Sequence, residues 1–204
     1  VASAAAVALG KIGGQPAATS LVAALSVATD PKVRSAIAQG CVLCAERMLA
    51  DGRHAESAML YDLVRSADVP MQRRVEATRG AILARQNEGT PLLIETLHSP
   101  ELKLFQIGLA TARDLTADDV DQALADQLDK LPSERAALVI AAMADRPDRV
   151  QLVAIMNVAQ SDNKTLRLAA FDALRRVGNE TCLPVLMQTA LDSDPDLSAL
   201  ARQS

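Results

Sequence analysis

Aromatic side chains are nearly absent from this 204-residue sequence, which has no Trp, a single Tyr (Tyr61) and two Phe (Phe105 and Phe171). Most β-sandwiches and barrels draw heavily on aromatic and β-branched residues, so this scarcity argues against them. Histidine is limited to His54 and His98, and cysteine to Cys41, Cys44 and Cys182. Three cysteines are too few, and too odd in number, for a disulfide framework. A reducing cytoplasm suits unpaired buried thiols without strain, and a periplasmic or exported array accommodates them as well, so the compartment stays open. No uninterrupted apolar run approaches the eighteen or so residues that a bilayer span requires, because charges such as Lys11, Asp30 and Lys32 break every candidate. No membrane partner is expected. Charge of one sign is also missing: 21 Lys and Arg stand against 25 Asp and Glu, a formal net charge of -4. Bulk electrostatics gives no reason to expect nucleic acid.

What the sequence does have is alanine, roughly one residue in five, with abundant Leu, Arg, Glu and Gln. These are the strong helix formers, and they predict an all-α protein. The sequence opens Val1-Ala2-Ser3-Ala4-Ala5-Ala6 without an initiator Met and without the basic flank of a secretory signal, so it reads as a piece of a longer polypeptide or a processed product.

The chain is periodic. A Pro followed three residues later by a base recurs at Pro31-Lys32-Val33-Arg34, Pro70-Met71-Gln72-Arg73, Pro100-Glu101-Leu102-Lys103 and Pro132-Ser133-Glu134-Arg135. Lys164-Thr165-Leu166-Arg167 lacks the Pro, and Pro195-Asp196-Leu197-Ser198 lacks the base. The steps between them are 39, 30, 32, 32 and 31 residues, which is a repeat architecture. Pro suits the first helical position, where its missing N–H would be unpaired anyway, and Asp30, Ser99 and Asp194 stand where an oxygen can cap exposed N–H groups. Apolar residues then follow at helical spacing, as in Val33, Ile37 and Cys41 or Leu168, Phe171 and Leu174. A second set of helices is expected between the proline-led ones, at 19–28, 55–67, 90–98, 118–131, 148–160 and 181–191. Polar or glycine breaks such as Gly13-Gly14, Asp51-Gly52 and Gly178-Asn179 separate the two sets. About thirteen helices result, opening with an unpaired one at 3–12 and closing with another at 196–204.

Three segments carry a family resemblance: Ala5-Ala6-Val7-Ala8-Leu9-Gly10-Lys11-Ile12-Gly13, Asp30-Pro31-Lys32-Val33-Arg34-Ser35-Ala36, and residues 166–178. They resemble HEAT repeats, particularly the short subtype of phycobiliprotein bilin lyases. The resemblance covers essentially the whole chain, although the third to fifth units match only in pattern and length. It implies a right-handed α-α superhelix, an α-solenoid of about six helix pairs, as a single array. Its units are 1–29 (partial), 30–69, 70–99, 100–131, 132–163, 164–194 and 195–204 (partial). The first full unit is longer by about eight residues, from Cys44 to Arg53, which suggests a longer helix pair. Gly52 to Tyr61 also looks like a tetratricopeptide helix.

No candidate site rises to catalysis. In Cys41-Val42-Leu43-Cys44 the residue after the second Cys is Ala45, not the His of a haem-attachment motif, and only His54 is near enough to join a zinc site. The two thiols read as core. His54 and His98 lie at helix boundaries without a nucleophile and orienting acid to complete a triad. The acids of Thr116 to Asp121 crowd a helix N-terminus, where the dipole favours them. Gly13-Gly14 lacks the Lys-Ser/Thr pair of a phosphate loop and reads as a helix stop.

Charge separates the two helix sets. Windows 31–50, 70–86, 100–115, 132–146 and 164–178 hold fifteen bases against seven acids, a balance of +8 that leaves the rest of the chain at -12. In HEAT arrays the second helix of each pair lines the concave side, and the resemblance places the basic set there. One reading pairs each base with a carboxylate of its own turn or of the neighbouring unit, or with a helix C-terminus. The other makes Arg34, Arg73, Arg74, Arg79, Lys103, Arg135 and Arg167 a mildly basic inner surface for an acidic segment of another protein or of another domain of the parent chain. The expected function is therefore a non-catalytic interaction or scaffolding module, with no cofactor, metal or small-molecule substrate. The competing functions are a bilin lyase-like maturation factor and a HEAT-like DNA glycosylase, and the scarcity of aromatics argues against both.

Overall fold

The computed structural model describes residues 1–190. The closing helix expected at 196–204 and the Asp194 cap lie outside them. Among the described residues the chain forms twelve α-helices, with two short 3-10 turns and no strand. They fall into two compact units, Val1–Ala117 and the part from Asp118 onward.

The first unit contains α1 (Ala2–Ile12), α2 (Gly14–Val27), α3 (Pro31–Ala50), α4 (His54–Ser66), α5 (Met71–Ala84), α6 (Thr90–Leu97) and α7 (Leu102–Asp114). The helix at the first proline signal starts as expected. Pro31 takes the first helical position, and the Asp30 carboxylate accepts from the backbone N–H groups of Lys32 and Val33 at 2.9 Å. Pro70 stands one residue earlier relative to its helix, at the N-cap of α5, and Pro100 precedes the Glu101 N-cap of α7. The hydroxyl of Ser99 accepts from the Glu101 N–H at 3.2 Å, as its position predicts. The long unit at 30–69 is explained by α3, a helix of 20 residues.

The opening helix and the proline-led ones pack side by side, α1 on α3, α3 on α5 and α5 on α7, while each also packs on an intervening helix. Small residues set the distances. A β-carbon on Gly10 would lie 2.4 Å from the Gly40 carbonyl oxygen, and one on Gly40 would lie 2.4 Å from that of Ala6, so the backbones of α1 and α3 touch. Gly80 of α5 receives the face of Tyr61 from α4 in the same way, its hypothetical β-carbon lying 2.3 Å from Cζ of the ring. Phe105 apart, the core is otherwise aliphatic or thioether, with Leu21, Met48, Ile82, Leu93 and Leu97 fully buried among alanines such as Ala38, Ala45, Ala77 and Ala81. Burying each large apolar side chain contributes about 1.5–3 kcal/mol.

The second unit contains α8 (Val120–Ala125), α9 (Ser133–Ala144), α10 (Leu152–Ala159), α11 (Lys164–Val177) and α12 (Leu183–Ala190). Pro132 caps α9, and at α11 Asn163 replaces the missing proline signal, accepting from the Leu166 N–H at 3.2 Å. Helices α9 and α11 pack together over Ile140, Met143, Ile155 and Phe171. The helix expected over 118–131 is shorter. After Ala125 the backbone tightens into bonds such as Gln127 N–H to Leu124 and Leu128 N–H to Ala125, and Pro132 disfavours helical geometry at the residue before it.

Because α1 and α3 meet backbone to backbone, Gly40→Ala forces them apart. We expect a loss of about 1–3 kcal/mol in urea unfolding followed by circular dichroism, with helix content retained. An unchanged midpoint would show that the contact is looser.

Candidate functional site

The arginines at the start of the proline-led helices reach backward. Arg34, in the first turn of α3, donates through Nη1 to the carbonyls of Ala28 (3.1 Å) and Leu25 (3.3 Å) at the end of α2, and through Nε to the Asp68 carbonyl at 2.7 Å. Arg74 of α5 donates to the Arg65 carbonyl at the end of α4, and Arg167 of α11 to the Ala159 carbonyl at the end of α10, each at 3.3 Å. A helix end leaves its last carbonyls unpaired and partially negative, so a guanidinium there satisfies hydrogen bonds and the dipole together. Arg135 occupies the matching first turn of α9, half-buried. The repeated bases were expected on carboxylates and the remaining ones at helix C-terminal ends; at Arg34, Arg74 and Arg167 the acceptors are backbone carbonyls at the C-terminal end of the preceding helix. Carbonyl acceptors leave no trace in a sequence pattern.

Arginines near the far ends of the same helices reach carboxylates. Arg85 of α5 binds Asp62 of α4, whose other oxygen takes Nε of Arg65 at 2.8 Å. Arg146, just past α9, grips Asp121 of α8 with two parallel bonds, Nε to Oδ1 at 2.7 Å and Nη2 to Oδ2 at 3.0 Å. Their side chains are only 8% and 5% exposed. Asp121 does stand in the first turn of α8, as the acidic cluster suggests, but its carboxylate is buried on Arg146 rather than facing solvent at the helix end. Arg73 meets Glu76 of its own turn at 2.6 Å, Arg79 meets Asp114 of α7 at 2.8 Å, and Arg176 of α11 meets Asp145. Among the described residues every base in the five windows other than Lys32 and Lys103 has a side-chain partner within the protein. Most of the charge opposition between the helix sets is thus used internally.

Of the seven candidate residues, Lys103 is the exposed one that makes no ion pair among the described residues. It lies in an open groove of about 470 Å³ between α5 and α7, with Gln72, Val75, Gln106 and Ile107. Arg79 is half-exposed on the same helix as Gln72 and Val75, two turns from Gln72.

The thiols are core residues. Cys41 and Cys44 are buried and unpaired, and burial pushes Cys41 up to about 12 and raises Cys44 as well, which keeps both protonated and inert near neutral pH. Sγ of Cys44 lies 3.8 Å from the Gly14 carbonyl. His54 lies beside Gln86, Nε2 to Nε2 at 3.4 Å, with its Nδ1 buried and unpartnered. Among the described residues no cluster of three or more His, Cys, Asp or Glu is arranged to hold a metal ion, and no helix is long and apolar enough to cross a membrane.

No family model matches the sequence, and no curated protein matches it significantly. Solved structures do. Human deoxyhypusine hydroxylase in complex with glycerol, a HEAT-repeat protein, superposes with a TM-score of 0.50 at 15% identity, covering 98% of this chain and 76% of the hydroxylase. An engineered protein gives 0.46 at 14% identity, over 91% of this chain and 94% of its own. A designed armadillo repeat protein gives 0.45 at 12%, over 90% and 96%. At such identities the likeness is one of fold. With the paired, repeating helices, the likeness to the hydroxylase gives this chain an all-α fold of HEAT-like helical repeats.

Burial works to raise the Asp62 carboxyl, but the hydrogen bonds and charges of Arg65 and Arg85 override it and hold Asp62 below the ordinary carboxylate range. A depressed folded-state value means that the unfolded chain binds the proton first. Asp62 therefore stabilises the fold above its unfolded value, about 3.9, and that stabilisation is lost as pH falls toward the folded value. Asp62→Asn should lower stability at neutral pH and flatten its fall below about pH 5, read by urea midpoints across the acid range. An equal fall in variant and parent would place the acid sensitivity elsewhere. Arg34→Gln should cost about 1–3 kcal/mol in the same assay, and a neutral result would make that arginine idle.

Proposed function

We propose that this protein is a non-catalytic interaction or scaffolding module, and that the face carrying the α5–α7 groove receives an extended acidic segment of another protein or of another domain of the same polypeptide. The observation that carries this reading is Lys103, an exposed cation with no ion pair among the described residues, seated in a groove that joins amide and aliphatic side chains. A primary amide both donates and accepts, so Gln106 and Gln72 can pair with a peptide backbone without demanding a sequence. Val75 and Ile107 offer apolar contact, and Lys103 adds a preference for negative charge. The internal engagement of the other arginines supports a modest, local positive field over a broad basic one. That favours an acidic peptide over a nucleic acid, whose binding requires many phosphate contacts.

The test is fluorescence anisotropy with a labelled twelve-residue peptide of alternating Asp and Leu against the whole chain, at low and moderate salt. Binding should weaken with salt and fall about tenfold, about 1.4 kcal/mol, in Lys103→Glu. Arg34→Gln, which alters an internal staple, should leave the affinity at low temperature unchanged. If Lys103→Glu binds as tightly as the parent, the α5–α7 groove is not the site.

A further inference from the structure

The second unit carries a groove of its own, about 560 Å³, which the proposed acidic-segment site does not use. One wall is the end of α8 and the turns after it, with Asp126, Asp129 and Lys130. The other is α10, whose residues 154, 157, 158 and 161 line the groove at the spacing i, i+3, i+4, i+7, a single helix face. Val158 and Leu166 supply apolar surface, and Asn157 and Ser161 supply polar groups. Oγ of Ser161 is buried and has no hydrogen-bond partner among the described residues. Leaving such a hydroxyl unpaired is costly, and a chain lying in the groove can supply the missing bond.

The charges say what fits. Asp126, Asp129 and Lys130 are exposed and make no ion pair among the described residues. Asp126 accepts from Nε2 of Gln122 at 2.7 Å, a neutral amide that leaves its charge in place. Helix electrostatics does not account for these acids, because Asp126 is the C-cap of α8 and Asp129 follows it, and the dipole opposes negative charge at that end. Lys130 offsets one of the two carboxylates, so the groove keeps a net charge of -1. The surroundings have the same sign: from 118 to 190 eleven acids stand against eight bases. A cation is therefore favoured. The hydroxyl sets the backbone form. A helix pairs its own N–H and C=O groups and would leave Ser161 unpaired, whereas an extended chain has both free. The Asn157 amide, one turn before Ser161, can donate and accept along the same chain.

We propose that the α8–α10 groove binds an extended, arginine-bearing segment of another protein. The guanidinium lies against Asp126 and Asp129, the backbone pairs with Asn157 and Ser161, and an apolar neighbour of the arginine rests on Val158 and Leu166. Arginine suits the acidic wall better than lysine, since its planar fork presents several N–H donors to carboxylates at once.

The probe is a labelled twelve-residue peptide of Gly and Ser with Leu-Arg-Leu-Arg-Leu at its centre, titrated by anisotropy against the whole chain. It should bind saturably, and replacing both arginines by Gln should weaken it about tenfold. The double variant Asp126→Asn with Asp129→Asn should also lose about tenfold. Lys130→Gln removes the opposing cation and should tighten binding about threefold. Lys32→Glu, an exposed change of charge in the first unit, should leave it unchanged. These substitutions are at exposed positions, and circular dichroism confirms that each variant is folded. Ser161→Ala should weaken binding, and equal affinity there would overturn the backbone pairing. Binding that survives the double variant overturns the proposal. So does Lys32→Glu tightening binding as much as Lys130→Gln, because the peptide would then report net charge alone. The probe carries no acidic side chain, so a failure here leaves the α5–α7 reading untouched.

Discussion

Short helices have many ends, and each end leaves backbone groups without partners. Here arginines answer for them. At the start of α3, α5 and α11 a first-turn arginine lies across the last carbonyls of the helix before it, as Arg34 does for α2, Arg74 for α4 and Arg167 for α10. Where α5 and α9 finish, an arginine reaches an aspartate on the intervening helix, Arg85 to Asp62 and Arg146 to Asp121. A helix pinned at both ends holds its angle to its neighbour, and a repeat unit that cannot bury its apolar face alone acquires a fixed surface on which the next one packs.

The same economy of size governs the core. Backbones that approach as closely as α1 and α3 leave space for little beyond alanine and glycine at the crossing. A stack built on such contacts has little use for rings. Where a ring does enter, at Tyr61, a glycine on the facing helix gives way to it. The scarcity of aromatics that excludes β folds at the level of composition is therefore also a consequence of how near the helices lie.

The repeat period, the all-α class and most helix starts were legible in the sequence, because they rest on local chemistry: a proline that fits a first turn, the Asp30 cap and the three-to-four spacing. The charge separation between helix sets was equally visible, but its meaning was not. Arg34 and Lys103 occupy equivalent places in the pattern, yet one lies on carbonyls of α2 and the other stands in solvent. Backbone acceptors and burial are properties of packing, which a list of charges does not contain. Asp121 shows the same limit, since its place in the first turn of α8 was readable and its burial against Arg146 was not. The long step of 39 residues announced a longer helix pair, and the 20 residues of α3 account for it.

The bases of these helices act as internal staples, and the most direct test is a double-mutant cycle on the most buried of them, Arg146→Met and Asp121→Leu, singly and together, in urea unfolding. Each single change leaves a buried charge alone and should cost about 3–5 kcal/mol, and the double variant should recover most of the loss. A coupling of at least about 2 kcal/mol is the predicted result. Additivity within about 0.5 kcal/mol would contradict it and return these charges to the surface.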